Sequence, residues 1–544
     1  MNHTNSRREF LRVTGISAAA LATNVVPVSL FSPSANAAFD EPDVILSLRA
    51  VQADIPMFSR QTTRVWMYQG EVLKGDPNSL QTLDQLNESL GTRRTRRRDP
   101  VSRTGSPVTA EATPPSTYLG PIMRVRSRQR IRINFTNQLP EATVMHWHGL
   151  HVPPEMDAHP SYLVQPGQSY VYEFAVANRA GTYWFHPHPD GRTARQVYNG
   201  LAGLFIVTDE EDAATGLPTG KYDLPLVLQD RMLDAANQFV YQTGGGMMGN
   251  DGFLGDRFFV NGKPDFLLTL ERRAYRLRLL NGSNARVYKL AWDDGTPLTV
   301  IGTDGGLLER AMQRSYVMLA PGERIELWAD FSGRPVDSIL PLRSLQFSGA
   351  EVGMGGGGQT LPNGAAFTVM KVQVTGRTSE TGVLPTQLST LNRNRIEDAI
   401  NRNTPRSFAV SMGMISGGMR WLLNGRPYQE SELASNEIVQ LNTTEVWELS
   451  NTNTGGMSMV HPIHIHGLQF QVLERTINSQ FAAGWETVRY GYVDDGWKDT
   501  VMIMPGERVK VLLRFEDFTG MYVYHCHNLE HEDAGMMRNY QVRA

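Results

Sequence analysis

The chain reads GMYVYHCH at residues 520–527, and a related stretch, GTYWFHPH, occurs at residues 181–188. Each stretch runs from a glycine through aromatic and aliphatic residues to two histidines separated by one residue. We interpret both as β-strands, in which successive side chains point to opposite faces. His525 and His527 therefore share one face, and Cys526, the only cysteine among 544 residues, points to the other.

A second motif repeats in the same way, as HWHGL at residues 146–150 and HIHGL at residues 464–468. Ten of the thirteen histidines fall into four clusters, at residues 146–148, 186–188, 461–466 and 525–531. A single histidine is more often a hydrogen-bonded core or surface residue than a ligand. Eight of the ten form four His-x-His pairs, with His461 and His531 close to two of these pairs, and this grouping instead indicates metal binding.

Three segments share an apolar alternation that closes on Asn, at residues 131–137, 276–281 and 446–451. A Pro-Gly turn and another alternating run follow each segment, with the turns at 166–167, 321–322 and 505–506. This pattern predicts antiparallel β structure in three related β-sandwich domains. Because residues 215–378 contain no histidine, we expect the middle domain to be a spacer.

Repeats and composition predict the domain boundaries. We expect the first domain at 39–212 with an insertion at about 75–117, the second, without metal ligands, at 213–378, a linker at 379–406 and the last domain at 407–544. The insertion carries Arg93, Arg94, Arg96, Arg97 and Arg98. This basic run is interpreted either as a solvated surface loop or as a docking site for an acidic partner.

The first 38 residues have the features of a targeting segment. SRREFLR at 6–12 precedes an apolar run at 16–31, and Ala35-Asn36-Ala37 offers small residues for cleavage. The segment resembles a twin-arginine signal peptide, with a disordered basic tail as the alternative. We therefore expect Tat export of a soluble, monomeric protein without a membrane anchor to the periplasm or cell exterior. The net charge of -3 argues against nucleic acid as a partner.

Strand parity divides the candidate ligands into two centres. His461 lies on the opposite face from His464 and His466 if that strand is regular, so it belongs with Cys526. His461, Cys526, His531 and Met536 form the ligand set of a blue copper, with zinc as the alternative metal. The other eight histidines come equally from the first and last domains and suit a cluster of several copper ions between them.

The four histidine motifs resemble those of multicopper oxidases, across nearly the whole mature chain. The layout is similar to three-domain members such as bacterial laccases, the periplasmic copper-efflux oxidase, spore-coat laccase and bilirubin oxidase. The resemblance implies an all-β fold of three consecutive cupredoxin-like Greek-key β-sandwiches and four copper ions. It assigns His461, Cys526, His531 and Met536 to type 1 copper, His146 and His464 to type 2, and His148, His186, His188, His466, His525 and His527 to the type 3 pair.

The implied reaction is one-electron oxidation of a substrate at type 1 copper, coupled to four-electron reduction of O₂ to water at the trinuclear cluster. Cys526 then links the two centres through its neighbours His525 and His527. By the same resemblance, Asp157 and Glu532 match carboxylates of the solvent channel and proton relay. Other residues are implied to contact the substrate, namely Met457, Met459 and His461, although Met457 stands where the copper-efflux oxidase has an aspartate.

The sequence leaves several functions open. The first is a laccase-like enzyme for phenols, aromatic amines, bilirubin-like compounds or metal ions. Others are a cuprous oxidase for periplasmic copper tolerance, a copper-sequestering protein with little turnover, and a relative of the cell-division cupredoxin that has lost its copper ligands. Methionines in Gly-rich loops, at 247–248, 354, 412–414 and 419, are candidates for Cu(I) capture or simple core filling. An axial Met indicates a potential below the top of the family's range.

Overall fold

Strands make up most of the regular structure in the computed structural model of this chain. The structure describes residues 41–58, 61–89, 116–242, 252–352, 361–380, 382–415, 418–453 and 458–544. Residues 42–544 form one compact unit. The predicted signal peptide, the run Arg93 to Arg98 and Met457 lie outside the described residues.

In its described residues, the first β-sandwich contains nine strands in two sheets. The strands are β1 (Val44–Phe58), β2 (Gln61–Lys74), β3 (Leu80–Gln81), β4 (Ile122–Arg126), β5 (Arg130–Asn137), β6 (Met145–His148), β7 (Ser169–Ala175), β8 (Gly181–Pro187) and β9 (Gly203–Thr208). One sheet has the order β2-β1-β5-β7 and the other β3-β4-β9-β8-β6. Part of the predicted insertion is therefore integral to the sandwich, because β3 pairs with β4.

The middle β-sandwich is built around one long strand that belongs to both of its sheets. Its strands are β10 (Asp223–Arg231), β11 (Arg257–Val260), β12 (Lys263–Pro264), β13 (Leu267–Asn281), β14 (Tyr288–Trp292), β15 (Leu298–Thr303), β16 (Gly306–Arg314), β17 (Val317–Leu319), β18 (Arg324–Asp330), β19 (Ile339–Ser344), β20 (Glu351–Val352) and β21 (Phe367–Glu380). The first half of β13 pairs with β21, and its second half pairs with β10 and β18.

The last β-sandwich has two five-stranded sheets. Its strands are β22 (Arg406–Ile415), β23 (Gly418–Leu423), β24 (Ile438–Gln440), β25 (Thr443–Asn453), β26 (Ser458–Met459), β27 (His461–Ile465), β28 (Phe470–Ile477), β29 (Thr500–Ile503), β30 (Glu507–Phe515), β31 (Gly520–Cys526) and β32 (Met537–Arg543). The sheet orders are β23-β22-β25-β30-β28 and β24-β32-β31-β27-β29. Strand β26 pairs with β20 of the middle sandwich.

Helices are short and lie between strands. The α-helices are α1 (Leu83–Ser89), α2 (Thr193–Tyr198), α3 (Glu210–Ala214), α4 (Ala482–Glu486) and α5 (Leu529–Asp533). The 3-10 helices are Pro77–Ser79, Pro154–Met156, Pro160–Tyr162, Gly220–Tyr222, Ile396–Asp398, Ser435–Glu437, Ser479–Phe481 and Arg489–Gly491. In the part of the chain that the structure describes, no helix combines the length and apolar character that crossing a membrane requires.

The repeated Asn and Pro-Gly motifs have the same structural role in all three sandwiches. In each, the glycine N–H of the turn donates to the main-chain carbonyl of the asparagine that closes the earlier strand, at 2.7–2.9 Å: Gly167 to Asn137, Gly322 to Asn281 and Gly506 to Asn451. Each asparagine amide also donates to backbone carbonyls beyond its strand. The prediction of three related β-sandwiches is confirmed. The sequence repeat corresponds to a repeated hydrogen bond in the structure.

Candidate metal centres

Paired strands bring the histidine motifs of each outer sandwich together. In the first sandwich β6 pairs with β8, so that His146 lies opposite His186. In the last sandwich β27 pairs with β31, so that His464 lies opposite His525 and Ile463 opposite Cys526. All ten histidines of the four clusters are fully buried.

One centre forms on the Cys526 face of β31. The Cys526 Sγ lies 3.4 Å from His461 Nδ1 and 3.6 Å from His531 Nδ1. Met536 is buried in the same core cluster, and its main chain hydrogen-bonds to both Cys526 and His531. Trp421 packs against the rings of His461 and His531. The structure thus brings together His461 and Cys526, which strand parity grouped, with His531 and Met536 of the same predicted ligand set, and these four residues are here called the cysteine centre.

The other eight histidines form one cluster between the first and last sandwiches, here called the histidine cluster. It contains a pair, His146 and His464, whose Nε2 atoms are 3.3 Å apart. A first triple brings His466 Nε2 and His188 Nε2 to 3.0 and 3.2 Å from His525 Nε2. A second triple has ring centroids 4.9–5.6 Å apart and consists of His148, His186 and His527.

The pair His146 and His464 has a geometry that a cation would explain. Each Nδ1 lies within hydrogen-bond distance of a main-chain carbonyl, that of Asp157 at 2.9 Å and that of Asp499 at 2.8 Å. A carbonyl can only accept a hydrogen bond, so each Nδ1 carries the proton. The Nε2 atom of each neutral ring then has an unshared lone pair. Two lone pairs then face each other at 3.3 Å, an arrangement that a shared metal ion stabilises and that is otherwise repulsive.

Burial keeps these imidazoles in the neutral form that binds metals. It lowers the pKa of His146 and His464 well below the usual range of histidine. Burial likewise lowers the pKa of His186 to about 3 and of His188 to about 4. Inward nitrogens without a hydrogen-bond partner, including His186 Nε2 and His148 Nδ1, complete the donor set. The residues present therefore fit copper, for which imidazole and thiolate are suitable ligands.

The buried Asp157 orients histidines from both outer sandwiches. Its Oδ2 lies 2.8 Å from His466 Nδ1, and its carbonyl is the acceptor for His146. The next residue, Ala158, has a φ of 72°, a conformation that costs free energy for any residue with a side chain. This strained turn directs the Asp157 carbonyl to His146.

Glu532 is buried on α5 and lies against the first triple. Its carboxylate approaches His525 Nδ1 to 3.1 Å and His188 Nε2 to 3.5 Å. The adjacent Glu530 points elsewhere, accepting hydrogen bonds from Tyr241, Phe253 and Asn284. Two neighbouring carboxylates on one helix thus have separate surroundings.

Sequence reasoning missed Asp499 at the histidine cluster. Its Oδ1 lies 3.0 Å from His148 Nε2, and its carbonyl is the acceptor for His464. The only available signal was a Lys-Asp-Thr stretch just before an apolar run, which by itself resembles any surface turn.

The middle sandwich also reaches the histidine cluster. Gly322 has a φ of 86°, and a Cβ there would lie 3.0 Å from His148 Cε1 and His527 Cδ2. Arg324, two residues later, contacts Asp499. The expectation that the middle domain is a spacer is therefore wrong: it supplies no histidine in its described residues, yet its turn packs directly against histidines of the other two.

The predicted substrate residues are only partly described. Met459, two residues before His461, is buried. Its main-chain carbonyl accepts a hydrogen bond from the side-chain amide of Asn451. Among the methionines proposed for Cu(I), Met414 and Met419 pair across the β22–β23 hairpin, and Met414 is exposed. Met247, Met248 and Met354 lie outside the described residues.

Comparisons with known proteins agree with this geometry. Residues 97–212 and 394–544 match family descriptions of multicopper oxidases. The chain is 32% identical to the multicopper oxidase Mco of Staphylococcus aureus, over 78% of this chain and 82% of that protein. It is 29% identical to a laccase of Bacillus subtilis, over 77% of this chain and 88% of the relative. The crystal structure of McoA multicopper oxidase from Aquifex aeolicus covers 93% of this chain and 97% of its own, with a TM-score of 0.71 and 29% identity.

The fold and the buried His and Cys sets together define a copper oxidoreductase built from cupredoxin-like β-sandwiches. The predicted all-β fold of three such domains is confirmed by the structural match. The chain belongs to the multicopper oxidase family, whose members couple oxidation of a reductant to reduction of O₂.

Removing copper should destabilise the protein, because the facing nitrogens of His146 and His464 then lose the cation between them. A ligand that binds only the folded state stabilises it by about 4 kcal/mol at a concentration 1,000 times its Kd. We expect a chelator to lower the unfolding temperature in calorimetry and copper to restore it. Mg²⁺, which prefers oxygen ligands, serves as the control and should restore nothing. Equal unfolding temperatures with and without copper would contradict this reading.

Proposed function

We propose that this protein is a laccase-like oxidase that holds four copper ions. The observation that carries the proposal is the 3.3 Å approach of His146 Nε2 to His464 Nε2, with both Nδ1 atoms committed to carbonyls. One ion would be held by the cysteine centre. Three would be held by the histidine cluster, one by its pair and one by each of its triples.

The proposed ligand roles follow the grouping of side chains. Type 1 copper is assigned to His461, Cys526, His531 and Met536, type 2 to His146 and His464, and type 3 to His148, His186, His188, His466, His525 and His527. When bound at these residues, copper would supply the one-electron redox chemistry that joins oxidation of a reductant to reduction of O₂.

Cys526 provides the connection between the two centres. Its side chain faces His461 and His531, whereas its chain neighbours His525 and His527 face the histidine cluster. A few covalent bonds along β31 therefore join the two centres. The alternation of a regular strand is sufficient to create this route.

Glu532 and Asp157 are proposed to handle protons, which the reduction of O₂ to water consumes. Support comes from their burial and contacts: Glu532 touches His188 and His525, and Asp157 touches His466. Each carboxylate contacts imidazoles of the histidine cluster and is therefore placed to supply protons to oxygen reduced there.

Phenols and aromatic amines are the proposed reductants, and Cu(I) is the second candidate. The observation favouring Cu(I) is the β22–β23 hairpin, where Met414 and Met419 face each other and Trp421 packs on His461. Thioethers are soft ligands suited to Cu(I). Met457 and Met459 remain proposed substrate contacts beside His461.

We also propose export by the twin-arginine route, action in the periplasm or outside the cell, and a monomeric state. The proposed domains are 39–212, 213–378 and 407–544, with a linker at 379–406. The strand bounds support these limits, because β9 ends at Thr208, β21 at Glu380, and β22 begins at Arg406. Copper storage without turnover is the weaker alternative, since a cluster of this kind is organised for O₂.

Replacing Cys526 with Ser should abolish the blue colour and oxygen uptake together. The thiolate is lost from the cysteine centre, whereas the histidine cluster keeps all its side chains. Absorption spectra, copper content and oxygen uptake with a phenol provide the measurements. Copper retained at the cluster is the internal control for folding. Substantial oxidase activity in this variant would overturn the assignment.

Replacing Glu532 with Gln should slow O₂ reduction by about 100-fold or more, the usual contribution of a positioned acid or base. The blue absorption should persist, because Glu532 lies on the histidine-cluster side. Glu530→Gln is the matched control: it is buried on the same helix but bonded to Tyr241 and Phe253. Unchanged turnover in Glu532→Gln, or an equal loss in both variants, would remove the proposed role.

A side-by-side measurement separates the two candidate substrates. Oxygen uptake by the copper-loaded protein is followed with Cu(I), a phenol and bilirubin. We expect the phenol to be oxidised at least as fast as Cu(I). A large excess for Cu(I) that disappears in a Met414→Leu/Met419→Leu variant would instead establish the metal-oxidising function. Failure to consume oxygen with all three would contradict the enzyme assignment.

A further inference from the structure

Arg324 uses its whole hydrogen-bonding capacity inside the protein. Its side chain is fully buried, and a guanidinium has five N–H donors. The five bonds run from Nε to the carbonyl of Thr182, from Nη1 to the Gly322 carbonyl and Asp499 Oδ1, and from Nη2 to the Asp304 carbonyl and Asp499 Oδ2. The guanidinium therefore has one orientation.

These partners come from all three β-sandwiches. Thr182 lies on β8 of the first, Gly322 and Asp304 belong to the middle one, and Asp499 precedes β29 of the last. The two bonds to Asp499, at 2.7 and 2.5 Å, form the bidentate fork typical of Arg and carboxylate. Arg324 of the middle sandwich therefore fixes the orientation of the Asp499 carboxylate.

Asp499 in turn holds one histidine from each outer sandwich. Its Oδ1 accepts from His148 Nε2 at 3.0 Å, and its carbonyl accepts from His464 Nδ1 at 2.8 Å. The rings of His148 and His464 stack with centroids 3.7 Å apart. Arg324 is thus connected through Asp499 to two proposed copper ligands.

The proton position on His148 differs from that on its neighbours. His146, His186 and His464 each have Nδ1 beside a carbonyl, so the proton sits on Nδ1. In His148 the carboxylate of Asp499 accepts from Nε2, which leaves Nδ1 as the free donor atom. Asp499 therefore determines which nitrogen of His148 is available to a metal.

Further ion pairs hold Asp499 in register with the middle sandwich. Lys498, the preceding residue, has its Nζ 3.0 Å from Asp304 Oδ2 and 3.1 Å from Glu323 Oε1. Asp304 Oδ1 also accepts from the main-chain N–H of Arg324 at 2.7 Å. Two consecutive residues of the last sandwich are thereby bound by three of the middle one.

Gly149 shows how closely this group approaches the first sandwich. A Cβ at this position would lie 2.4 Å from Asp499 Oδ2 and 2.7 Å from Arg324 Nη2. Any side chain at position 149 would therefore collide with the Arg324–Asp499 ion pair. Its φ of 87° adds a second reason for glycine.

We propose that Arg324 and Asp499 form a clamp through which the middle domain positions His148 and His464 for copper binding. Both are positioning residues, since they act through the histidines. The proposal rests on the assignment of the histidine cluster as the O₂-reducing copper site. It predicts that loosening the clamp weakens copper binding at the cluster and leaves the cysteine centre intact.

The test compares two clamp variants with two matched controls. Asp499→Asn and Arg324→Lys weaken the fork with little change in size. Asp230→Asn and Arg286→Lys alter another fully buried Asp–Arg pair, whose bonds run to each other, to Gly255 and to the main-chain carbonyls of residues 361 and 362. Each protein is loaded with copper and then exposed to a chelator. Total copper, the blue absorption and electron paramagnetic resonance are followed over time.

In the clamp variants we expect about 10- to 100-fold weaker retention of cluster copper, the usual effect of altering a residue that orients a ligand. The blue absorption should be retained at the wild-type level. Asp230→Asn and Arg286→Lys should retain all copper as the wild type does, even where their unfolding temperature falls.

Several results would overturn the clamp. One is wild-type copper retention in Asp499→Asn and Arg324→Lys, and another is equal loss in the control pair. If both clamp variants fail to fold while both controls fold, the ion pair serves folding and has no separate positioning role. If the wild-type protein itself holds only the blue copper, the proposed function fails, and the clamp, which rests on it, fails with it.

Discussion

Six of the eight histidines in the cluster commit one ring nitrogen to an outward acceptor, and this is the constraint on which the site depends. Main-chain carbonyls of Asp157 and Asp499 receive the protons of His146 and His464, and the remaining nitrogens face inward. A buried polar atom without a partner costs about 1–3 kcal/mol. The cluster is therefore a source of instability until cations occupy it, and the surrounding β-sandwiches must be stable enough to hold it open.

The three sandwiches share one Pro-Gly turn but differ in what the residues after it contact. Glu323 and Glu507 make the same bond, accepting from the main-chain N–H of Ala320 and Met504. The arginines that follow them differ: Arg324 is buried against Asp499, whereas Arg508 is largely exposed and pairs with Glu448. The middle copy lacks histidines among its described residues but contributes the turn that touches those of its neighbours.

Much of this arrangement follows from local sequence. Period-two alternation and the recurring Asn and Pro-Gly motifs predict the three sandwiches, and strand parity separates Cys526 from His525 and His527. The roles of Asp499 and Arg324 have no local signal, because a buried ion pair 175 positions apart in the chain depends on tertiary structure. The prediction that the middle domain is a spacer fails for the same reason, because a segment without histidine can still supply the turn that packs against one.

The separation of the histidines along the chain has a consequence for the order of assembly. His146 and His464 are 318 residues apart, and His188 and His525 are 337 apart. Contacts of such length form only after both end domains have folded and docked. A nascent or partly folded chain offers isolated His-x-His pairs but no complete pocket. Copper incorporation at the cluster thus requires a folded molecule, and the cluster copper in a preparation sets a lower limit on the number of chains that have completed folding.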